Sequence, residues 1–126
     1  KAMNNRLNIL LVDDDVAVGG LIRKLLEELG NSVTYESCPS NALSAINDPN
    51  LLFDILMTDI AMPIMRGNVL AQKSKEIRPE LICIGFSGQA AFIHPDPVFE
   101  EFLQKPMKPK NLGAVIRRAM TQRISE

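Results

Sequence analysis

The chain is poor in the residues that would staple, anchor or electrically bias it. Only two cysteines, Cys38 and Cys83, occur among 126 residues. Cys83 falls in the apolar run Leu81-Ile82-Cys83-Ile84, where a buried reduced thiol is expected, so no disulfide is predicted. No apolar stretch approaches the roughly 18 to 20 residues that span a bilayer, and Lys1-Ala2-Met3-Asn4-Asn5 lacks the apolar centre of a secretion signal. The expectation is a cytoplasmic chain with no membrane insertion. Neither sign of charge dominates: Lys and Arg total 14 against 15 for Asp and Glu. That balance removes the bulk attraction behind nonspecific nucleic-acid or membrane-surface binding. At 46% apolar and 23% charged residues, both the low hydrophobicity of disordered chains and the Gly/Pro bias of fibrous ones are missing. Histidine appears once, as His94 between proline-rich neighbours, and reads as an ordinary loop residue. A histidine-dependent hydrolase is disfavoured accordingly.

What remains is one domain over residues 1–126, long enough to bury roughly two-thirds of its unfolded surface without a staple. Because Lys1 precedes Met3, residues 1–6 are expected to be vector-derived or flexible. Asn8 to Val12 is a short continuous apolar run closed by polar residues, as in a strand buried on both faces of a parallel sheet. Val18, Leu21, Ile22, Leu25, Leu26 and Leu29 recur at helical spacing, with Gly30 placed to stop the helix. Ser32 to Glu36 alternates as a second strand, and Pro39 suits the first turn of a helix through Ile46. Phe53 to Thr58 reads as a third strand, Gly67 to Ile77 as a helix, and Leu81 to Phe86 as a fourth strand. Glu101 to Gln104 is a brief fifth strand, and Leu112, Val115, Ile116, Ala119 and Met120 mark an amphipathic last helix. Pro95 and Pro97 remove two backbone donors, so the fourth helix, between the fourth and fifth strands, is expected to be short or irregular. Strands alternating with helices predict a doubly wound α/β fold with a five-stranded parallel sheet.

Reactive residues follow four of these strands: Asp13 and Asp14, Asp59, Ser87, and Lys105. In an open parallel sheet the ligand crevice lies outside the carboxyl ends of the strands, so topology alone brings these residues to one mouth. Three carboxylates there repel one another unless a cation lies among them, and an oxygen-only donor set suits Mg²⁺, with Mn²⁺ as its substitute. Lys105 adds a positive point charge and Ser87 a hydroxyl, the equipment for holding phosphoryl oxygens. A carboxylate can then serve as the nucleophile in phosphoryl transfer, which needs charge neutralisation more than a base.

Other residues have plainer readings. Asp15 is expected to cap the first helix, and Asp54 to be a solvated surface charge. Met57, Met62 and Met65 read as packing rather than a soft-metal site. Arg117, Arg118 and Arg123 complement the dipole of the last helix, with no nucleic-acid role for this domain.

The sequence resembles the receiver domain of two-component response regulators over nearly its whole length. The resemblance is carried by Ile9-Leu10-Leu11-Val12-Asp13-Asp14-Asp15, by Asp54-Ile55-Leu56-Met57-Thr58-Asp59-Ile60-Ala61-Met62-Pro63-Ile64-Met65-Arg66-Gly67, by Ser87, and by Phe102-Leu103-Gln104-Lys105-Pro106. It implies a flavodoxin-like strand order, 2-1-3-4-5. It implies that Asp59 is the phosphoacceptor, Asp14 a direct Mg²⁺ ligand, Asp13 a partner through water, and the backbone carbonyl of Ala61 a further ligand. Ser87 and Lys105 would contact the phosphoryl oxygens, and Phe102 matches the aromatic that turns inward when Ser87 is recruited. The bond from Lys105 to Pro106 resembles the cis peptide common there. The implied donor is a histidine kinase or histidine phosphotransfer domain, and activation in such domains can produce a phosphorylation-dependent dimer. The implied chain is no enzyme beyond assisting its own phosphorylation and dephosphorylation, whose pace Ala61 and Gln89 would tune.

The departure from the family pattern lies between Ser87 and Lys105, where only 17 residues intervene, a few fewer than usual. The expected output face is therefore unusual while the phosphorylation residues match. Two other readings use the same residues. One is a receiver-like module that binds partners without phosphorylation. The other takes Asp13 and Asp15 as the Asp-x-Asp of a phosphatase that forms a phospho-aspartate, but leaves the Asp59 motif unexplained.

Overall fold

Five apolar runs build one parallel sheet in the computed structural model, which describes residues 6–88 and 96–125, the side chains through residue 122. The strands are β1 (Asn8–Val12), β2 (Ser32–Glu36), β3 (Ile55–Asp59), β4 (Ile82–Ser87) and β5 (Glu101–Gln104). Their order is β2-β1-β3-β4-β5, all neighbours parallel. The three central strands are apolar without alternation because both their faces are covered; every residue of β3 and β4 is buried. β3 starts two residues later than its hydrophobicity suggests and includes Asp59, while β4 runs on to include Ser87.

Helices α1 (Val16–Glu28), α2 (Pro39–Asn47), α3 (Gly67–Ile77) and α4 (Pro109–Ser125) divide between the two faces. Ile9, Leu11, Met57, Ile84 and Phe86 pack with Ile22 and Leu26 of α1 and Leu112, Val115 and Ile116 of α4. Leu10, Val12, Leu56 and Cys83 point the other way, onto Ala42 and Ile46 of α2 and Leu70 and Ala71 of α3. This is the two-residue period of strands meeting the wider apolar stripe of helices. No described helix is long and apolar enough to cross a membrane.

Local chemistry sets the ends. The Asp15 carboxylate caps α1, accepting from the N–H groups of Ala17 and Val18 at 3.1 and 3.2 Å. Gly30, at φ +98°, turns the chain out of α1. Asp54 does more than carry a surface charge: its Oδ2 accepts the Asn8 N–H at 2.8 Å, tying the foot of β3 to that of β1. Arg118 in addition reaches across to Glu101 at 3.2 Å, a contact the sequence does not signal. Met57 and Met62 are buried in the core, consistent with packing.

Between β4 and β5, residues 89–95, including Gln89, His94 and Pro95, lie outside the described residues. Residues 96–100 form no helix; the Glu100 N–H donates to the Cys83 carbonyl at 2.9 Å, and side chains supply further ties. Asp96 Oδ2 accepts from Asn68 and Gln72 of α3 at 3.3 and 3.2 Å. Glu100 accepts the Cys83 N–H through Oε1 at 2.8 Å and pairs with Lys75 of α3 through Oε2. Phe99, nearly buried, joins the core face beneath α2 and α3.

Candidate functional site at the carboxyl ends of the strands

Every residue singled out from the strand ends falls at one edge of the sheet. Asp13 and Asp14 follow β1, Asp59 and Ser87 are the last residues of β3 and β4, and Lys105 follows β5. Carboxylate oxygens of Asp13, Asp14 and Asp59 all lie within 4.8 Å of one another. Lys105 Nζ stands 3.1 Å from Asp13 Oδ2 and 3.3 Å from Asp59 Oδ2, with its side chain 19% exposed. The same ammonium is 5.2 Å from the centre of the Phe86 ring.

The three acids differ in how they are held. Asp13 is fully buried; its Oδ1 accepts the Asp15 N–H at 2.9 Å. Its Oδ2 meets Lys105 as charge to charge, without a well-aligned donor among the described residues. Asp59, also buried, receives the Ala61 N–H on Oδ1 at 3.2 Å and Lys105 on Oδ2. Asp14 is exposed and has no hydrogen-bond or ion-pair partner among the described residues. Ala61 thus sits beside the acids, two residues beyond Asp59 in the loop leading to α3. Asp15 is spent on the helix cap, which leaves it outside the cluster.

The electrostatics follow from this placement. Burial pushes the Asp13 carboxyl above its ordinary value, and the charge of Asp59 adds to the rise. The Asp15 N–H and Lys105 offset part of it. For Lys105, burial acts to lower the ammonium, but the carboxylates of Asp13 and Asp59 outweigh it and hold the group above its ordinary value. One cation against three acids leaves the mouth electronegative. The donor set fits a hard divalent ion: all ligands are oxygens, Asp13 Oδ2 is buried without an aligned donor, and the Asp14 carboxylate is unengaged.

Ser87 is fully buried, and its carbonyl accepts the Lys105 N–H at 2.8 Å, which fixes the lysine to the end of β4. The Lys105–Pro106 peptide is cis. Phe102 is half-buried, its ring centre 6.4 Å from that of Phe99. Both rings close over Gly85, where a Cβ would lie 3.0 Å from Phe99 and 3.1 Å from Phe102.

Two further features escaped the sequence. The Tyr35 hydroxyl donates to the Asp13 backbone carbonyl at 2.6 Å. In sequence Tyr35 is one more half-buried position of an alternating strand, and nothing signals that its hydroxyl reaches the acids. The anchoring of residues 96–100 by Asp96 and Glu100 was hidden likewise, because the prolines there report only where helix is unfavourable.

Comparison with known proteins agrees with the geometry. The chain is 34% identical over 108 residues to the response regulator receiver protein CpdR of Brucella abortus, covering 82% of this chain and 88% of that one. It is 33% identical over 116 residues to the DNA-binding transcriptional regulator NtrC of Azospirillum brasilense, covering 89% of this chain but 24% of that protein. The chain thus spans about a quarter of one curated relative and most of the other. Among solved structures, a response regulator receiver domain protein from Clostridium thermocellum superposes with a TM-score of 0.82 at 27% identity, covering 92% of this chain and 95% of that one. A CheY-like receiver from Methanospirillum hungatei gives 0.83 at 25%, covering 96% and 98%. The family profile described as the response regulator receiver domain matches residues 9–117, and the chain belongs to that family, the receiver domain of two-component regulatory systems.

Proposed function

We propose that the chain is a phosphorylation-dependent switch in which Asp59 accepts a phosphoryl group from a histidine kinase or histidine phosphotransfer domain. One Asp59 oxygen forms the new P–O bond as the P–N bond to the donor imidazole breaks, its electron pair leaving with the nitrogen. Lys105, already 3.3 Å from Asp59, is placed to take phosphoryl oxygens as charge builds there. Asp14, Asp59 and the Ala61 carbonyl would hold Mg²⁺, with Asp13 acting through water. When bound, the ion neutralises the carboxylates and the incoming phosphoryl oxygens. Ser87 would complete the phosphoryl contacts, and Phe102 would follow it inward, changing the surface around β5.

The observation that carries this reading is the meeting of Lys105 with Asp13 and Asp59 inside a three-carboxylate cluster. The Asp-x-Asp phosphatase reading loses support because the second carboxylate, Asp15, is committed to capping α1. The phosphorylation-independent module keeps one supporting observation, the tying of residues 96–100 to α3. Intact mass after incubation with Mg²⁺ and acetyl phosphate separates the readings. The parent gains one phosphoryl group and Asp59→Asn gains none. No gain, together with an NMR spectrum unmoved by beryllofluoride, overturns the switch in favour of the binding module.

A further inference from the structure

Asp13 and Asp59 are positioned by bonds to their own carboxylates, whereas Asp14 has none among the described residues. Its place in the cluster therefore depends on its backbone. The peptide joining Asp13 to Asp14 carries the Asp13 carbonyl, and the Tyr35 hydroxyl holds that carbonyl at 2.6 Å. The neighbouring peptide is held from the same strand, by the Asp13 N–H donating to the Glu36 carbonyl at 3.3 Å. Two bonds from the end of β2 thus fix both sides of Asp13.

The Tyr35 ring has a prepared seat. It packs against the core face of α1 and α4, and buried Gly19 of α1 makes room for it. A Cβ at Gly19 would stand 2.4 Å from ring carbon Cε1 and 2.7 Å from the hydroxyl oxygen. Glycine is unfavourable inside a helix by roughly 0.5 to 1 kcal/mol relative to alanine; at Gly19 the Tyr35 ring fills the space a side chain would need, whereas a Cβ on neighbouring Gly20 would meet nothing within 4 Å.

We propose that Tyr35, seated on Gly19, is a positioning residue for divalent-cation binding, orienting the Asp13–Asp14 peptide so that Asp14 joins Asp13 and Asp59. The inference rests on the cation site described under the proposed function. Tyr35 would not touch the ion and acts only through the Asp13 backbone carbonyl it holds. A rigid ligand set loses less freedom on binding than one that must be ordered by the ion.

The test is Mg²⁺ titration of the full chain by calorimetry, backed by Mn²⁺ electron paramagnetic resonance, in the parent, Tyr35→Phe and Gly19→Ala. Tyr35→Phe keeps the ring and removes only the hydroxyl. It should weaken Mg²⁺ binding about three- to tenfold, the scale of one lost neutral hydrogen bond. In acetyl phosphate reactions the half-saturating Mg²⁺ concentration should rise by the same factor, with the rate at saturating Mg²⁺ preserved. Gly19→Ala should weaken binding by displacing the ring, and the double variant should be no weaker than the worse single one. Unchanged Mg²⁺ affinity in Tyr35→Phe overturns the proposal whether or not Gly19→Ala folds. A parent that binds no Mg²⁺ instead overturns the cation site itself, and this inference with it.

Discussion

A Cβ placed on Gly67 would stand 2.1 Å from the backbone carbonyl oxygen of Asp59. The N-terminus of α3 presses that closely on the end of β3, with the Gly67 N–H donating to the Ile60 carbonyl at 3.0 Å. Since the obstructing atom is backbone, it cannot swing aside as a side chain would. Gly67→Ala should therefore destabilise the chain by about 3 kcal/mol, in the upper range for overpacking. Any folded fraction should take up phosphoryl groups more slowly, because the strain falls on Asp59. Urea unfolding checks the first effect, and stability equal to the parent would rule out the close approach.

Asp13 is an acid whose burial raises its carboxyl above the ordinary aspartate value of 3.8. The folded state then keeps this proton to higher pH than the unfolded chain does. The stability it contributes is complete below the ordinary value and is lost as pH rises through the raised native one. Asp13→Asn carries no such loss, so without divalent cations it should melt above the parent at pH 7. That advantage should shrink as pH falls below the ordinary aspartate value, where Asp13 is protonated in both the folded and the unfolded chain. The same variant should bind Mg²⁺ more weakly. Melting temperatures that differ equally at both ends of the range would contradict the assignment.

The two thiols should react very differently. Burial pushes Cys83 up to about 12, while hydrogen bonds from the Ser40 hydroxyl and the Asn41 and Ser40 N–H groups hold Cys38 below its ordinary value. Both cysteines are free, and Cys38 is only half-buried. An aromatic disulfide reagent at mildly alkaline pH should modify Cys38 promptly and Cys83 only after denaturant is added. Rapid reaction of two thiols in the native chain would show that β4 opens readily.

Ser74 faces the core from α3, fully buried, and its hydroxyl has no partner among the described residues. Alanine there removes an unsatisfied polar group and improves helix propensity. Ser74→Ala should stabilise the chain by about 0.5 to 1 kcal/mol, read as a shift in urea midpoint with unchanged slope. A loss of stability would reveal a partner for the hydroxyl.

The strands and helices were legible because their patterns are set by burial. β1 has no polar residue after Asn8 until Asp13 because both its faces are covered, and α1 repeats apolar residues on the side that meets the sheet. The acids and Lys105 were legible because topology gathers strand ends. Contacts that depend on a single side chain reaching across the fold were not. Arg78 closes two carbonyls at the end of α2, Ile46 and Asp48, at 2.8 and 2.7 Å, yet its position in the sequence marks only the end of α3. Asp54 shows the same limit: a charge at a strand's foot reads as solvated until the neighbouring strand's N–H is seen beside it. Tyr35 illustrates it most fully, since its ring was legible as strand and its hydroxyl as nothing.

The stretch from Asp96 to Glu100 has no slack in it. Asp96 is fastened to α3 at two points, and Glu100 to α3 and to the backbone of β4. In mechanical terms this is a rod pinned at both ends rather than a hinge. A pull applied there must either carry α3 with it or break charge-assisted bonds, so load on the connection between β4 and β5 is handed to α3 and to the backbone of β4.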